Sequence, residues 1–275
     1  MKMKDEIKVV VCDMDGTLLN SEHTISETNL EAIQRLEDKG IPFVVATGRA
    51  YQLMKPYFDM LDLKNPFVLS NGGEVSLPYS ETPLQSAYLN KEDAIQIMDY
   101  CKKHNMVYLV YTRDAIYSTY NSRVEFFKEQ NKKLKPHQQA IFEEMIDHKE
   151  LTTKHRVNKV LIVEIDRAIH QQAVEDIKNM GEFEIAESQT SFIDVNPFAV
   201  SKGNALPFIA SYFNIDIKNI MALGDQDNDV SMLQNAGFSI CMGNGSEKAK
   251  LAADYITKTN DLDGVAHAIN TFILK

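Results

Sequence analysis

The stretch VVVCDMDGT, residues 9–17, decides how this chain is read. An apolar run opened by Ile7 and continued by three valines ends in two carboxylates, Asp13 and Asp15. No Lys or Arg occurs between Lys8 and Arg35, so neither acid has a cation close by in sequence. Two acids this close repel each other unless something screens them, protonates one, or binds between them. Asp15-Gly16 between hydrophobic residues is also a short hairpin signal, which would reduce the acids to turn chemistry. The periodicity argues against that. A nearly continuous β-branched run suits a strand buried on both faces of a parallel sheet. Asp13 and Asp15 then stand where a central strand emerges, pointing to the same side.

Outward from this strand, elements alternate. Ser26 is placed to cap a helix through ETNLEAIQRLEDK, with Gly40 as its stop. A second apolar run, IPFVVA, ends in Thr47-Gly48-Arg49; a helix follows from Tyr51 to Leu61, then FVLS ending in Asn71-Gly72-Gly73. The C-terminal part repeats the theme. Ser201 precedes the helical KGNALPFIASYF, and NIMAL ends in Gly224-Asp225. A helix over Asp227 to Ala236 is followed by FSICM ending in Gly243-Asn244-Gly245. Ser246 then caps EKAKLAA, a short YIT strand follows, and Leu262 to Leu274 reads as a last helix. This is the pattern of a parallel sheet with right-handed crossovers.

The middle has a different texture. A helix near Lys91 to His104 leads into VYLVYTRDAIYSTY, whose alternation around Arg113-Asp114 predicts an antiparallel hairpin. A polar, lysine-rich helical stretch over Glu125 to Lys149 is interrupted by Pro136. HRVNKVLIVEI, a helix from Arg167 to Met180, and the strands FEIAES and SFIDVN complete it. The expectation is an α/β protein: a Rossmann-like parallel-sheet core with helices on both faces, made of residues 1–82 and 196–275. An α+β domain, residues 83–195, is inserted into it.

Composition sets the outer bounds. A net charge of −10 over 275 residues argues against nucleic acid or anionic membrane as partner, since both demand basic patches. The three cysteines show no paired spacing, so no disulfide framework or zinc site is implied. The first residues meet an acid before a short apolar run, which suits neither a signal peptide nor a membrane span. A cytoplasmic protein is expected, and a monomer, since no unexplained hydrophobic stripe remains.

Three strand ends therefore carry polar groups: Asp13 with Asp15, Thr47 with Gly48, and Asp225 with Asn228 and Asp229. In open α/β sheets ligands bind outside the carboxyl ends of the strands. Four aspartates gathered there against the single Lys202 would not persist without a cation. Hard oxygen ligands with no Cys or His select Mg²⁺ or Ca²⁺, and magnesium is favoured because it uses one or two carboxylates, waters and a phosphate oxygen. Lys202 and the Thr47 hydroxyl would hold a phosphate, helped by backbone N–H groups near Met14 and Gly48. Asp13 then suits a nucleophile forming an aspartyl-phosphate. Asp15 suits the acid that protonates the leaving oxygen and the base that later activates water.

DMDGT at 13–17, TGR at 47–49, SKG at 201–203 and GDQDND at 224–229 resemble the four motifs of the haloacid dehalogenase-like hydrolase superfamily. Their order, the large insert between the second and third, SNGG at 70–73 and GNG at 243–245 resemble its Cof-type phosphatase branch. The resemblance implies Asp13 as nucleophile and metal ligand, Asp15 as acid–base residue with a backbone contact to the metal, and Asp225 as the other ligand. It implies a phosphate or metal-shell contact for Asn228, a supporting role for Asp229, and phosphate binding by Thr47 and Lys202. The insert would act as a cap that selects a small phosphorylated metabolite, a sugar phosphate or cofactor phosphate. Where the family pattern has Gly two residues before SKG, this chain has Ala199. A phosphosugar mutase and a phosphorylatable receiver-like signalling module are the alternatives; both would use a similar acidic site.

Overall fold

The computed structural model describes residues 6–62, 64–119, 122–163, 167–186 and 192–274. The opening residues 1–5, and the end of the expected FEIAES strand together with the start of SFIDVN, lie outside them. In chain order the elements are β1 (Val9–Asp13), α1 (Glu27–Asp38), β2 (Phe43–Ala46), α2 (Tyr51–Leu61), β3 (Phe67–Leu69), β4 (Glu74–Ser76) and β5 (Gln85–Ser86). Next come α3 (Lys91–Lys103), β6 (Val107–Thr112), β7 (Ile116–Ser118), α4 (Ser122–Asn131), β8 (Phe142–Glu144) and α5 (His148–Lys154). β9 (Val157–Val163), α6 (Arg167–Lys178), β10 (Phe183–Ala186), β11 (Ile193–Pro197) and α7 (Lys202–Tyr212) follow. The chain closes with β12 (Ile220–Gly224), α8 (Val230–Asn235), β13 (Phe238–Cys241), α9 (Glu247–Ala252), β14 (Tyr255–Ile256) and α10 (Gly264–Phe272). Two compact units result: Met1–Gly48, Leu63–Pro78 and Ser201–Lys275 form the first, Arg49–Asp62 and Tyr79–Val200 the second.

In the first unit the strands lie in the order β14-β13-β12-β1-β2-β3-β4. β1 sits between β12 and β2, parallel to both, with Val10 opposite Met221 on one side and Phe43 on the other. Val9 and Val11 pack against α7 and α8 through Leu206, Ile209 and Leu233. Val10 and Cys12, which alternate to the other face, are equally shut from solvent. Full burial is worth roughly 1.5–3 kcal/mol for each such aliphatic side chain, which is why the run reads as unbroken valine. The expected α/β class with a parallel core is what is observed, with one addition: β4 runs antiparallel to β3. The expected caps at Ser26 and Ser246 hold, and Ser201 caps its helix in the same way. Ser26, Ser201 and Ser246 accept the backbone N–H of Asn29, Asn204 and Ala249. Each such cap contributes about 1 kcal/mol. The Ser201 cap also fixes Lys202 as the first residue of its helix.

The second unit has a sheet in the order β10-β11-β9-β6-β7-β8, antiparallel except between β7 and β8. Ile97, Leu151 and Ile177 of its helices bury one face against Val110, Val160 and Val195. The hairpin around Arg113-Asp114 joins β6 and β7 as expected. The lysine-rich stretch is more broken than its composition indicates. α4 ends at Asn131, Pro136 opens a single 3-10 turn, β8 follows, and Asp147 caps α5 by accepting the N–H groups of Lys149 and Glu150. α2, read in sequence as part of the alternating core, gathers its contacts in this unit. The Gln52 amide donates to the carbonyl of Arg113 (2.7 Å) and the Lys55 ammonium to that of Gln139 (3.1 Å). Among the described residues no helix is long and apolar enough to cross a membrane.

Candidate active site

Asp13 ends β1, Thr47 follows β2, and Asp225 follows β12, so three neighbouring strands deliver these side chains to one edge of the sheet. Asp13, Asp225 and Asp229 each offer a carboxylate oxygen within 4.8 Å of the others, and all three are buried. Lys202, only 1% exposed, donates from its ammonium to Asp13 and to Oδ1 of Asp229, the latter at 2.6 Å. The second oxygen of Asp229 accepts the backbone N–H groups of Asp225 (2.9 Å) and Gln226 (3.0 Å). Both Asp229 oxygens are thus engaged, which makes it a clamp on Asp225 and Lys202. Thr17 donates its hydroxyl to Asp225 (2.8 Å), and the Gln226 amide donates to the other oxygen (3.1 Å). Gly16 lies at φ +83°, and a Cβ there would run into the Asp225 carboxylate. Only glycine allows both that backbone and that approach.

Three buried carboxylates face one ammonium. Burial pushes Asp13 well above the usual carboxylate range, Asp229 adds to the rise, and Lys202 opposes it. Asp225 is raised by burial and by Asp229, against the hydroxyl of Thr17. For Lys202, burial alone would depress the ammonium; Asp13 and Asp229 outweigh it, and the net shift is upward. The Cys12 thiol, wholly buried behind Asp13, is raised well above the ordinary thiol range by burial and then by Asp13. A cluster that resists full ionisation in this way and offers only hard carboxylate oxygens fits a divalent cation.

The remaining candidates divide. Met14 is buried, and its carbonyl accepts the N–H of Leu19 (2.8 Å), closing a turn in which Asp15 bridges to Leu19. Asp15 itself is exposed and stands outside the carboxylate group. Thr47, 1% exposed, is fixed by backbone bonds: its N–H donates to Val68 and its carbonyl accepts from Asn71. Gly48 is next to it, and a Cβ there would crowd the Asn71 side chain at 3.1 Å. Asn228 donates its amide to the Asn71 side chain (3.1 Å). Lys202 was read in sequence as a phosphate ligand; its ammonium lies between Asp13 and Asp229. Asn71 carried no role in the sequence reading although SNGG was singled out. Its signal is conformational: Ser70 and Asn71 both adopt left-handed backbone (φ 50° and 56°), which two successive non-glycine residues rarely do.

Fold and site together define a hydrolase of the α/β class built around a strand-end aspartate pair. The chain belongs to the haloacid dehalogenase-like hydrolase family, whose model matches residues 10–269. The family resemblance read from the four motifs is thereby borne out, and with it the assignment as an enzyme of the phosphatase kind. The chain is 33% identical over 270 residues to a Bacillus subtilis protein, 5-amino-6-(5-phospho-D-ribitylamino)uracil phosphatase YcsE, covering 98% of this chain and 97% of that protein. It is 26% identical to the Escherichia coli pyridoxal phosphate phosphatase YbhA, covering 97% and 99%. Among solved structures, a haloacid dehalogenase-like hydrolase from B. subtilis superimposes with a TM-score of 0.85 at 28% identity, covering 97% and 100%.

Proposed function

We propose that the protein is a Mg²⁺-dependent phosphomonoester hydrolase acting on small phosphorylated metabolites through an aspartyl-phosphate. The observation that carries this reading is the convergence of Asp13 and Asp225 with Lys202 in one buried cluster of excess negative charge. Asp13, Asp225 and the backbone carbonyl of Asp15 would hold Mg²⁺. When bound, the ion supplies the positive charge that makes an acidic pocket fit for a phosphate dianion. Thr47, the N–H groups of Met14 and Gly48, Lys202 and Asn228 bind the phosphoryl oxygens. The Asp13 carboxylate attacks phosphorus, the ester P–O bond breaks, and the Asp15 carboxyl gives its proton to the leaving oxygen. Water then attacks the phosphoaspartate, Asp15 takes its proton, and the Asp13–phosphorus bond breaks to release inorganic phosphate. Acid–base assistance of this kind contributes roughly 10²–10⁴-fold. Lys202 and Asp229 hold Asp13 and Asp225 in place throughout.

The inserted unit is assigned the choice of organic group. The named activities of YcsE and YbhA, on a ribityl-uracil phosphate and on pyridoxal phosphate, support a cofactor or sugar-like phosphate as substrate class. The proposal includes a cytosolic monomer without nucleic-acid or membrane partners, in keeping with the net charge of −10. The test is phosphate release from p-nitrophenyl phosphate and a phosphorylated-metabolite panel, with Mg²⁺ and with EDTA. Asp13→Asn is expected to abolish release, and retained turnover by that variant refutes the assignment. Isomer formation without free phosphate would indicate a mutase, and a long-lived phosphoprotein without turnover a receiver.

A further inference from the structure

We propose that Asn244, backed by Asn260, is a positioning residue for the acid–base carboxyl of Asp15; the inference rests on the phosphatase reading above. Asp13 is held by burial and by Lys202, whereas the side chain of Asp15 is exposed. The backbone that carries it is held from outside its own turn. The Asn244 amide donates to the carbonyl of Gly16, the residue directly after Asp15, at 2.8 Å. Its side-chain oxygen accepts the backbone N–H of Asn260 at 2.9 Å, and the Asn260 amide donates to the carbonyl of Leu19, also at 2.9 Å. Leu19 is the residue that Asp15 bridges across the turn. A two-asparagine relay thus holds both the residue that follows Asp15 and the residue that Asp15 bridges.

The turn that presents Asn244 is itself anchored to the acidic cluster. The N–H of Ser246 donates to the carbonyl of Asp225 at 2.7 Å, and the N–H of Gly243 donates to that of Lys258 at 3.0 Å. One tight turn consequently holds Gly16 on one side and Asp225 on the other, and sets the spacing between the acid–base residue and the buried carboxylate. The amide is required because Asn244 uses a donor and an acceptor at once. Aspartate lacks the donor, and an aliphatic residue lacks both. Asn244 is exposed and Asn260 only partly buried, and surface hydrogen bonds of this kind contribute little to folding. What the relay contributes is placement of the loop, and a small misplacement of a catalytic group is costly to rate.

The experiment compares kcat/KM for phenyl phosphate and p-nitrophenyl phosphate with Mg²⁺ present. kcat/KM reports on steps up to ester cleavage. Phenolate is the poorer leaving group and depends on the proton from Asp15, whereas nitrophenolate departs largely without it. Asn244→Ala and Asn244→Asp are expected to lose roughly ten- to a hundredfold on phenyl phosphate. On p-nitrophenyl phosphate the loss should stay below about threefold, since the acid contributes little there. Asn260→Ala reaches the same relay from outside and should reproduce the bias, even if a change at Asn244 impairs folding. An equal loss on both esters, or none on either, in variants that melt like the parent overturns the positioning role. Asp13→Asn, run alongside, separates the two levels. If it is inactive while the asparagine variants lose both esters equally, only the relay fails; if it turns over, the phosphatase reading fails as well.

Discussion

Each unit buries a lysine against aspartate, but the two clusters differ in their charge count. In the second unit the Lys159 ammonium meets Asp194 at 2.7 Å and lies 5.0 Å from the Tyr111 ring centre. In the first unit Lys202 meets Asp13 and Asp229 while Asp225 stands beside them. At Lys159 the ammonium bonds Asp194, whereas at Lys202 three carboxylates gather around one ammonium. A matched buried pair roughly offsets its own desolvation and serves structure. A mismatched cluster stores repulsion that a cation relieves, which is how an active site differs from a structural ion pair made of the same residue types.

The largest expected effect comes from removing the lysine of the mismatched cluster. Lys202→Met leaves three buried acids uncompensated and should cost about 3–5 kcal/mol in urea unfolding, together with turnover. Lys159→Met breaks its pair at a similar cost. The double change Lys159→Met with Asp194→Leu should return close to wild-type stability, whereas Lys202→Met with Asp229→Leu should not, because Asp13 and Asp225 remain. Equal recovery in both doubles would erase the distinction.

Next in size is the response to metal. At about a hundredfold excess over its dissociation constant, Mg²⁺ should add about 2.7 kcal/mol, read as a rise of roughly 5 °C in melting temperature. Asp225→Asn should suppress that rise. The sign of the pH dependence follows from Asp13 and Asp225, whose folded-state pKa values lie above their unfolded ones. The native state then holds protons that the unfolded chain releases. Without metal, their contribution is greatest below the ordinary carboxylate range and is lost as pH rises through the raised values. Metal replaces those protons, so its stabilisation should be larger at pH 7.5 than at pH 5. A gain independent of pH would argue that the ion binds elsewhere.

Two backbone predictions sharpen the contrast further. Gly16→Ala must bear both a left-handed backbone and contact with the Asp225 carboxylate, and should lose about 2 kcal/mol along with the Mg²⁺ shift. Ala199 in the second unit has φ +60° where the family pattern places glycine. Ala199→Gly should therefore stabilise modestly, by about 0.5–1 kcal/mol in urea, with no effect on metal binding.

The strand-end aspartates were legible because an unbroken valine run admits few placements, and burial of Val9 to Val11 on both faces bears this out. The serine caps were legible because capping is local. Longer-range matters were not. β4 pairs antiparallel to β3 through contacts that a three-residue strand cannot announce. The association of α2 with the second unit depends on carbonyls of Arg113 and Gln139, far along the chain. The charge of Lys202 was visible in the sequence, but its partners Asp13 and Asp229, on other segments, were not. Asn71 and Asn244 stood in recognisable glycine turns, yet their side-chain partners, Asn228 for the one and Gly16 and Asn260 for the other, lie elsewhere along the chain.

Cys12 lies one residue before the proposed nucleophile, with Cys101 and Cys241 as the other thiols, and all three are buried. Cys12 is kept protonated by burial and by the neighbouring acids. Peroxides and alkylating reagents attack thiolates, so the folded enzyme should withstand oxidants that disable thiol-dependent hydrolases. The same concealment makes Cys12 a reporter, because iodoacetamide can modify it only when the central strand comes out of the sheet.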